Sequence, residues 1–372
     1  MIVVIADDMT GAAELGGVGL RYGLRVRVSA IVSCLPETDL LVCYANTRSM
    51  TQQDAVTKMT QMTKEATALR PSLFYKKIDS VLRGHVLAEI RSQMQVMGSE
   101  RALIVPVNPQ LERTIIKGNY FVQGQPIHET GFSSDPEFPI SSSDVKDMLG
   151  SADIHIAAKH AAIEGISIGE AETMNDVEAW AASDLDKTLL AGGASFFSSL
   201  LASRFGLIDE RSRVELFEPL LLVTGTRFQK SRNRLDAFEH LVTYVPTAVL
   251  NKSKSDSLQI GSAADAVVEI LSMYGRGVLA IAEDDARFDP ALICDGLSEV
   301  ASLVMKRIKV HELLIEGGST AFSITQKMEL GSFTPTHELE QGVVRMQADS
   351  MKDLNITIKP GSYDWPSEWR FT

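Results

Sequence analysis

Two adjacent carboxylates, Asp7 and Asp8, close the apolar run Ile2–Ala6 and precede Met9-Thr10-Gly11-Ala12. Paired carboxylates at a strand end can accept hydrogen bonds from a substrate hydroxyl, bind Mg²⁺ or take up a proton. They would equally suit a solvated turn in which aspartate caps the following helix. A second set stands in Lys76-Lys77-Ile78-Asp79-Ser80-Val81-Leu82-Arg83-Gly84, directly after apolar Leu73-Phe74-Tyr75. Arginine can clamp a carboxylate through two parallel N–H donors, and aspartate can accept from hydroxyls. Lys77, Asp79, Ser80 and Arg83 therefore suit a small hydroxylated acid, with an Asp-Ser helix cap in a basic turn as the plain alternative.

A third group runs from Pro106-Val107-Asn108-Pro109 through Arg113 to His128-Glu129-Thr130, in a segment rich in glycine and proline. His128 and Glu129 could meet a polar ligand there or simply face solvent. In the second half, Val223-Thr224-Gly225-Thr226 ends one apolar run, and Ile315-Glu316-Gly317-Gly318-Ser319-Thr320-Ala321 ends another and opens a helical pattern. Lys359-Pro360-Gly361-Ser362 completes the set. Glycines between a strand and a helix N-terminus let backbone N–H groups approach a phosphate, although a tight turn explains each one singly. No Walker motif exists, because the glycine before Lys230-Ser231 is missing, and there is no dinucleotide fingerprint. The sequence around Ser319 lacks the final glycine of a nucleophile elbow. His155 and His160 are poorly spaced for a metal on one helix face.

These residues need strands to end at them and helices to start after them. Strands are expected over residues 2–6, 24–32, 40–45, 73–78, 102–107, 153–158 and 187–191, and helices over 12–22, 51–69 and 81–97. Residues 108–142 read as a long loop. After a polar stretch at 209–213, a second series follows. Its strands are expected at 220–224, 242–246, 277–282 and 312–316, with short β pieces at 343–346 and 355–358. Its helices are expected at 229–239, 263–274, 290–307 and 321–329. Alternation of this kind defines an α/β fold, read as two α/β domains with mostly parallel sheets, 1–210 and 211–372, and an interdomain active-site cleft.

The chain has 372 residues with a formal net charge of −12, which disfavours nucleic acid and anionic membranes as partners. A hydrophobic share of 45% is enough for a sizeable core. Three cysteines without paired spacing argue against a disulfide framework or a structural zinc, and a cytoplasmic location is expected. No apolar run reaches the length of a membrane span.

Taken in order, the quoted motifs resemble the four-carbon acid sugar kinase family. The opening Ala6-Asp-Asp-Met-Thr-Gly-Ala12 looks like its A-D-D-x-T-G-A signature, and residues 76–84 look like its K-x-D-S-x-L-R-G signature. Gly317-Gly-Ser-Thr-Ala321 is similar to its G-G-x-T motif. The resemblance implies an N-terminal sugar-acid-binding domain and a C-terminal nucleotide-binding domain. The implied activity is ATP-dependent phosphorylation of a terminal hydroxyl on threonate, erythronate or a 3-oxo-tetronate, with Mg²⁺ as cofactor. Asp7, Asp8, Lys77, Asp79, Ser80 and Arg83 would face the acid, with Asp8 or Asp79 acting on the hydroxyl. Thr226, Gly317, Gly318, Ser319, Thr320 and Gly361 would face ATP. Two departures fall in the nucleotide half: Ser319 stands where the family usually has an acidic residue, and Lys359-Pro-Gly-Ser-Tyr-Asp364 replaces K-S-G-x-F-G. A non-catalytic regulator that binds sugar acid and nucleotide, a different sugar-acid-modifying enzyme, and a homodimer stay open.

Overall fold

The computed structural model describes residues 1–33, 37–135, 137–208, 214–226, 235, 238–251, 256–282, 285, 288–361 and 363–366. The chain divides into two compact units, Met1–Glu210 and Arg211–Thr372.

In the first unit, β1 (Ile2–Ala6) leads into α1 (Met9–Arg21), then β2 (Val26–Ser29), β3 (Leu40–Tyr44), α2 (Gln52–Ala68), β4 (Leu73–Lys77), α3 (Val86–Met97) and β5 (Arg101–Val105). A small antiparallel sheet of β6 (Arg113–Ile116), β7 (Asn119–Val122) and β8 (Gln125–Pro126) follows. The unit closes with α4 (Val145–Met148), β9 (Ile154–Ala157), β10 (Ile166–Gly169), α5 (Met174–Ala181), β11 (Thr188–Gly192) and α6 (Ala194–Ala202). Its main sheet is parallel throughout, in the order β2-β3-β1-β4-β11-β5-β10-β9. β1 is buried along its whole length, as an apolar run covered on both faces should be. It pairs with β3 on one side and β4 on the other, so Ala6 lies beside both Tyr44 and Lys77. The chain therefore reverses its direction of progress across the sheet at β1, the kind of switch point where open α/β sheets bind ligands.

Caps fix where the helices begin. Asp8 accepts from the Gly11 N–H at the start of α1, and Thr51 from the Asp54 N–H at the start of α2. The helix expected from residue 81 starts only at Val86. Leu82 and Gly84 have φ of 64° and 87°, and the Asp79 carboxylate holds the Arg83 N–H, which bends residues 79–85 into a turn. The expected loop 108–142 contains β6 to β8, whose short strands are separated by tight turns.

In the second unit the elements are β12 (Leu220–Thr224), β13 (Val242–Tyr244), α7 (Thr247–Leu250), α8 (Asp256–Tyr274), β14 (Arg276–Ala280), α9 (Pro290–Arg307), β15 (Glu312–Glu316) and α10 (Gly318–Lys327). They are followed by β16 (Ser332–Glu340), β17 (Val343–Ala348) and β18 (Met351–Lys359). The order is β13-β14-β12-β15-β18-β17-β16, parallel as far as β18 and antiparallel beyond it. Leu222, Val278 and Leu314, from three adjacent strands, share a buried apolar cluster with Trp365. The helix expected at 229–239 falls mostly outside the described residues. No helix among the described residues is long and apolar enough to cross a membrane.

Candidate functional site

Side-chain alternation along β4 sends its two terminal lysines to opposite faces. Lys76 reaches Glu89 of α3 at 2.6 Å, and both are almost completely buried. Lys77 lies 3.4 Å from Glu14 of α1 and donates to the Ile78 carbonyl. Asp7 and Asp8 follow the end of β1. Arg48, on the loop after β3, joins them. Its Nε donates to Asp7 Oδ2 at 2.9 Å, its Nη2 lies 2.8 Å from Asp7 Oδ2 and 3.2 Å from Asp8 Oδ1, and its Nη1 lies 3.6 Å from Asp79 Oδ1. One guanidinium thus ties together the ends of β1, β3 and β4.

The remaining partners were expected to be ligand contacts, and most are already engaged. Asp8 is the N-cap of α1: it accepts from Thr10 Oγ1 at 2.5 Å and from the Gly11 N–H at 2.9 Å. A Cβ on Gly11 would stand 2.7 Å from that carboxylate and 3.2 Å from Lys77 Nζ, so only glycine permits this approach. Arg83, expected to clamp the acid's carboxylate with its fork, instead spends Nε and Nη2 on Asp79, both at 2.9 Å, and Nη1 on Asp135 at 2.8 Å. Phe132 lies beneath both Arg83 and Arg113. Arg113 donates to Ser80 Oγ at 2.7 Å, and Tyr120 donates to the Ser80 carbonyl. His128 pairs with Ser143 at 2.7 Å, beside exposed Glu129, and the Ser143 carbonyl accepts from the Tyr120 N–H.

Electrostatics separates the three aspartates. Burial pushes the Asp7 carboxyl up, and the Asp8 charge adds to this against the pull of Arg48. Burial opposes ionisation of Asp8 as well, but Arg48, Lys77 and the hydrogen bonds from Thr10 and Gly11 outweigh it and hold Asp8 low. Asp79 is also buried, yet Arg83 and Arg48 hold it well below the usual carboxylate range.

Sequence reasoning missed Arg48, Glu14 and Glu89. Arg48 follows an apolar strand, which is a weak signal alone. Its importance depends on β3 lying beside β1, and pattern does not specify that pairing.

In the second unit the ends of β12, β15 and β18 align, with Thr224 beside Glu316 and Glu316 beside Lys359. Thr224 Oγ1 donates to Glu316 at 3.1 Å, and Lys359 Nζ lies 2.6 Å from Glu316. Lys359 also donates to the carbonyls of Pro360, Gly361 and Tyr363, so it shapes the loop that carries Gly361. Thr226 follows on the β12 end, where its N–H donates to Thr224. Gly317 has φ of 99° and starts α10 without a side-chain cap. The N–H groups of Gly318, Ser319 and Thr320 occupy the first turn, where a helix presents donors and a partial positive charge. This donor set fits a phosphate group. Among the described residues, no three or more His, Cys, Asp or Glu side chains gather around a common metal position.

An all-parallel sheet with a cluster of charged side chains at the strand ends around its switch point is an α/β arrangement in which ligands commonly bind. Residues 2–200 match the family described as a sugar-binding N-terminal domain, and the chain belongs to that family. A D-threonate kinase of Salmonella typhimurium is 26% identical over 358 residues, covering 89% of this chain and 82% of the relative. A 3-oxo-tetronate kinase of Brucella melitensis is 21% identical, covering 97% and 92%. A crystal structure from Salmonella typhimurium LT2 shares the fold with a TM-score of 0.74 at 18% identity, covering 98% of this chain and 96% of that one.

Proposed function

We propose that this protein is a four-carbon acid sugar kinase, transferring the terminal phosphoryl group of ATP to a hydroxyl of threonate, erythronate or a 3-oxo-tetronate. The observation that carries the reading is the agreement between two findings. Relatives with kinase names align along nearly the whole chain, and in each unit the motif residues follow the ends of adjacent parallel strands.

Phosphoryl transfer asks a protein mainly for positioning and charge stabilisation. In the first unit, Asp7, Lys77, Asp79 and Ser80 present acceptors and donors to a polyhydroxylated acid, with Asp8, Arg48 and Arg83 fixing their geometry. In the second, the N–H groups of Gly318, Ser319 and Thr320 would hold a phosphate of the nucleotide, with Gly317 allowing close approach and Thr226 and Gly361 flanking it. Mg²⁺ would neutralise phosphate charge. It is commonly held by substrate phosphates with one or two carboxylates, so a dedicated protein cage is not required. The reading requires the reacting atoms to come within about 3–3.5 Å of each other during turnover.

A binding-only regulator is favoured by one feature, the use of Lys359 for Glu316 and loop carbonyls. An ADP-release assay over a panel of four-carbon acids separates the readings. The kinase reading expects ADP release that depends on one of these acids. Tight binding of acid and ATP without turnover would favour the regulator.

A further inference from the structure

We infer that Asp7 takes the proton from the substrate hydroxyl during phosphoryl transfer. The inference rests on the kinase reading and deepens it by assigning the proton acceptor among three buried aspartates.

The three differ in the acceptor capacity they retain. Asp8 is held through both oxygens by Thr10, the Gly11 N–H and Arg48. Asp79 is gripped through both oxygens by Arg83. Asp7 has Oδ2 on Arg48, but its Oδ1 is buried and makes no hydrogen bond among the described residues. The whole residue is 4% exposed. A buried carboxylate oxygen without a donor is costly, and a hydroxyl hydrogen bond is the contact that would relieve it.

The surrounding charges point the same way. Asp7 is faced by Asp8 on its own strand end, Arg48 from the loop after β3, Lys76 of β4 and Glu89 of α3. Lys76 is largely committed to Glu89, which also accepts from Thr47 at 2.5 Å. Among the described residues, the ion-paired carboxylates around these strand ends are Asp7, Asp8, Glu14, Asp79, Glu89 and Asp135, facing Arg48, Lys76, Lys77 and Arg83. The proton affinity of Asp7 is raised, whereas those of Asp8 and Asp79 are lowered.

In the step, the hydroxyl oxygen forms a bond to the terminal phosphorus of the nucleoside triphosphate. The bond from that phosphorus to the bridging oxygen breaks, the electron pair leaves with the diphosphate, and the hydroxyl proton passes to Asp7 Oδ1. Arg48 then balances whichever charge Asp7 carries.

The test is ADP release by the full chain and its Asp7→Asn and Asp8→Asn variants, with calorimetric Kd values for the acid and ATP. Asp7→Asn keeps an acceptor for Arg48 and is expected to lower kcat by about 10²–10⁴-fold, the usual worth of a positioned base. The ATP Kd should stay near wild type, and the acid Kd should rise far less than kcat falls. Wild-type kcat should show an acid limb that Asp7→Asn abolishes and Asp8→Asn retains. If Asp7→Asn keeps wild-type kcat, or if its loss is explained by lost binding of both ligands, Asp7 is a structural counter-ion to Arg48 and the assignment is overturned. If Asp7→Asn does not fold, a wild-type kcat without an acid limb overturns it as well. A wild-type protein that releases no ADP with any four-carbon acid overturns the kinase reading itself.

Discussion

The ends of β1, β3 and β4 in the first unit and the ends of β12, β15 and β18 in the second are built on the same plan. In each, the order of strands reverses and parallel strands end in register. They are furnished differently. The first is crowded with paired acidic and basic side chains: Arg48 with Asp7 and Asp8, Arg83 with Asp79 and Asp135, Lys76 with Glu89, and Lys77 with Glu14. Among the described residues, the second holds a small Thr224–Glu316–Lys359 core beside the backbone N–H groups from Gly318 onward. Side chains can distinguish the hydroxyls and carboxylate of a small acid. Backbone N–H groups suit a phosphate, which needs donors and positive potential more than discrimination. The contrast suggests that selectivity for the acid is invested in the first unit and phosphate binding in the second.

Removing Arg48 should break the contrast most severely. Arg48→Ala strands three carboxylates at two strand ends, and loss of a buried partner typically costs about 3–5 kcal/mol. Urea unfolding should show the first unit destabilised near the upper end of that range, with acid turnover lost. A folded variant retaining wild-type stability would mean that the three carboxylates do not depend on this guanidinium.

Lys359→Met should do less, about 3 kcal/mol, because Thr224 still donates to Glu316. Its distinctive effect should be weaker ATP binding, as the loop carrying Gly361 loses its anchor, while the acid's Kd is unchanged. Calorimetry with each ligand checks this, and equal weakening of both would remove the proposed division of labour.

The aspartates sharpen the comparison through pH. The folded-state pKa of Asp79 is depressed, so its stabilisation is fully present above the ordinary carboxylate value, near 4, and is lost as pH falls through the folded value. Asp7 is raised, so its contribution is fully present below that ordinary value and is lost as pH rises through its folded value. Asp7→Asn should therefore raise stability at neutral pH, with the gain fading below about pH 4. Urea midpoints at pH 7 and pH 4 provide the check, and a neutral-pH loss of stability would contradict the sign.

Much of this was legible in the sequence because local chemistry sets local structure. The run Ile2–Ala6, the caps Asp8 and Thr51, and the strand ends at Thr224 and Glu316 lie where residue type alone puts them. The turn at 79–85 was misread because an apolar helical pattern masks what a single Asp79–Arg83 contact does to the backbone. Arg48, Glu14 and Glu89 act across strands and helices distant in sequence, and only the strand order brings them to the crevice. The identity of the motif residues was visible, but which of their oxygens remain available was not, since that depends on partners supplied by the fold.

The most direct test of the division between the two units is calorimetric titration of Gly318→Val with ATP and with the four-carbon acid that supports turnover. A bulky side chain in the first turn of α10 should hinder approach of a phosphate to its N–H groups. The account predicts that ATP affinity falls by about tenfold or more, the loss of roughly one charged hydrogen bond, while acid affinity is unchanged. Unaltered ATP binding, or a matching loss for the acid, would contradict it.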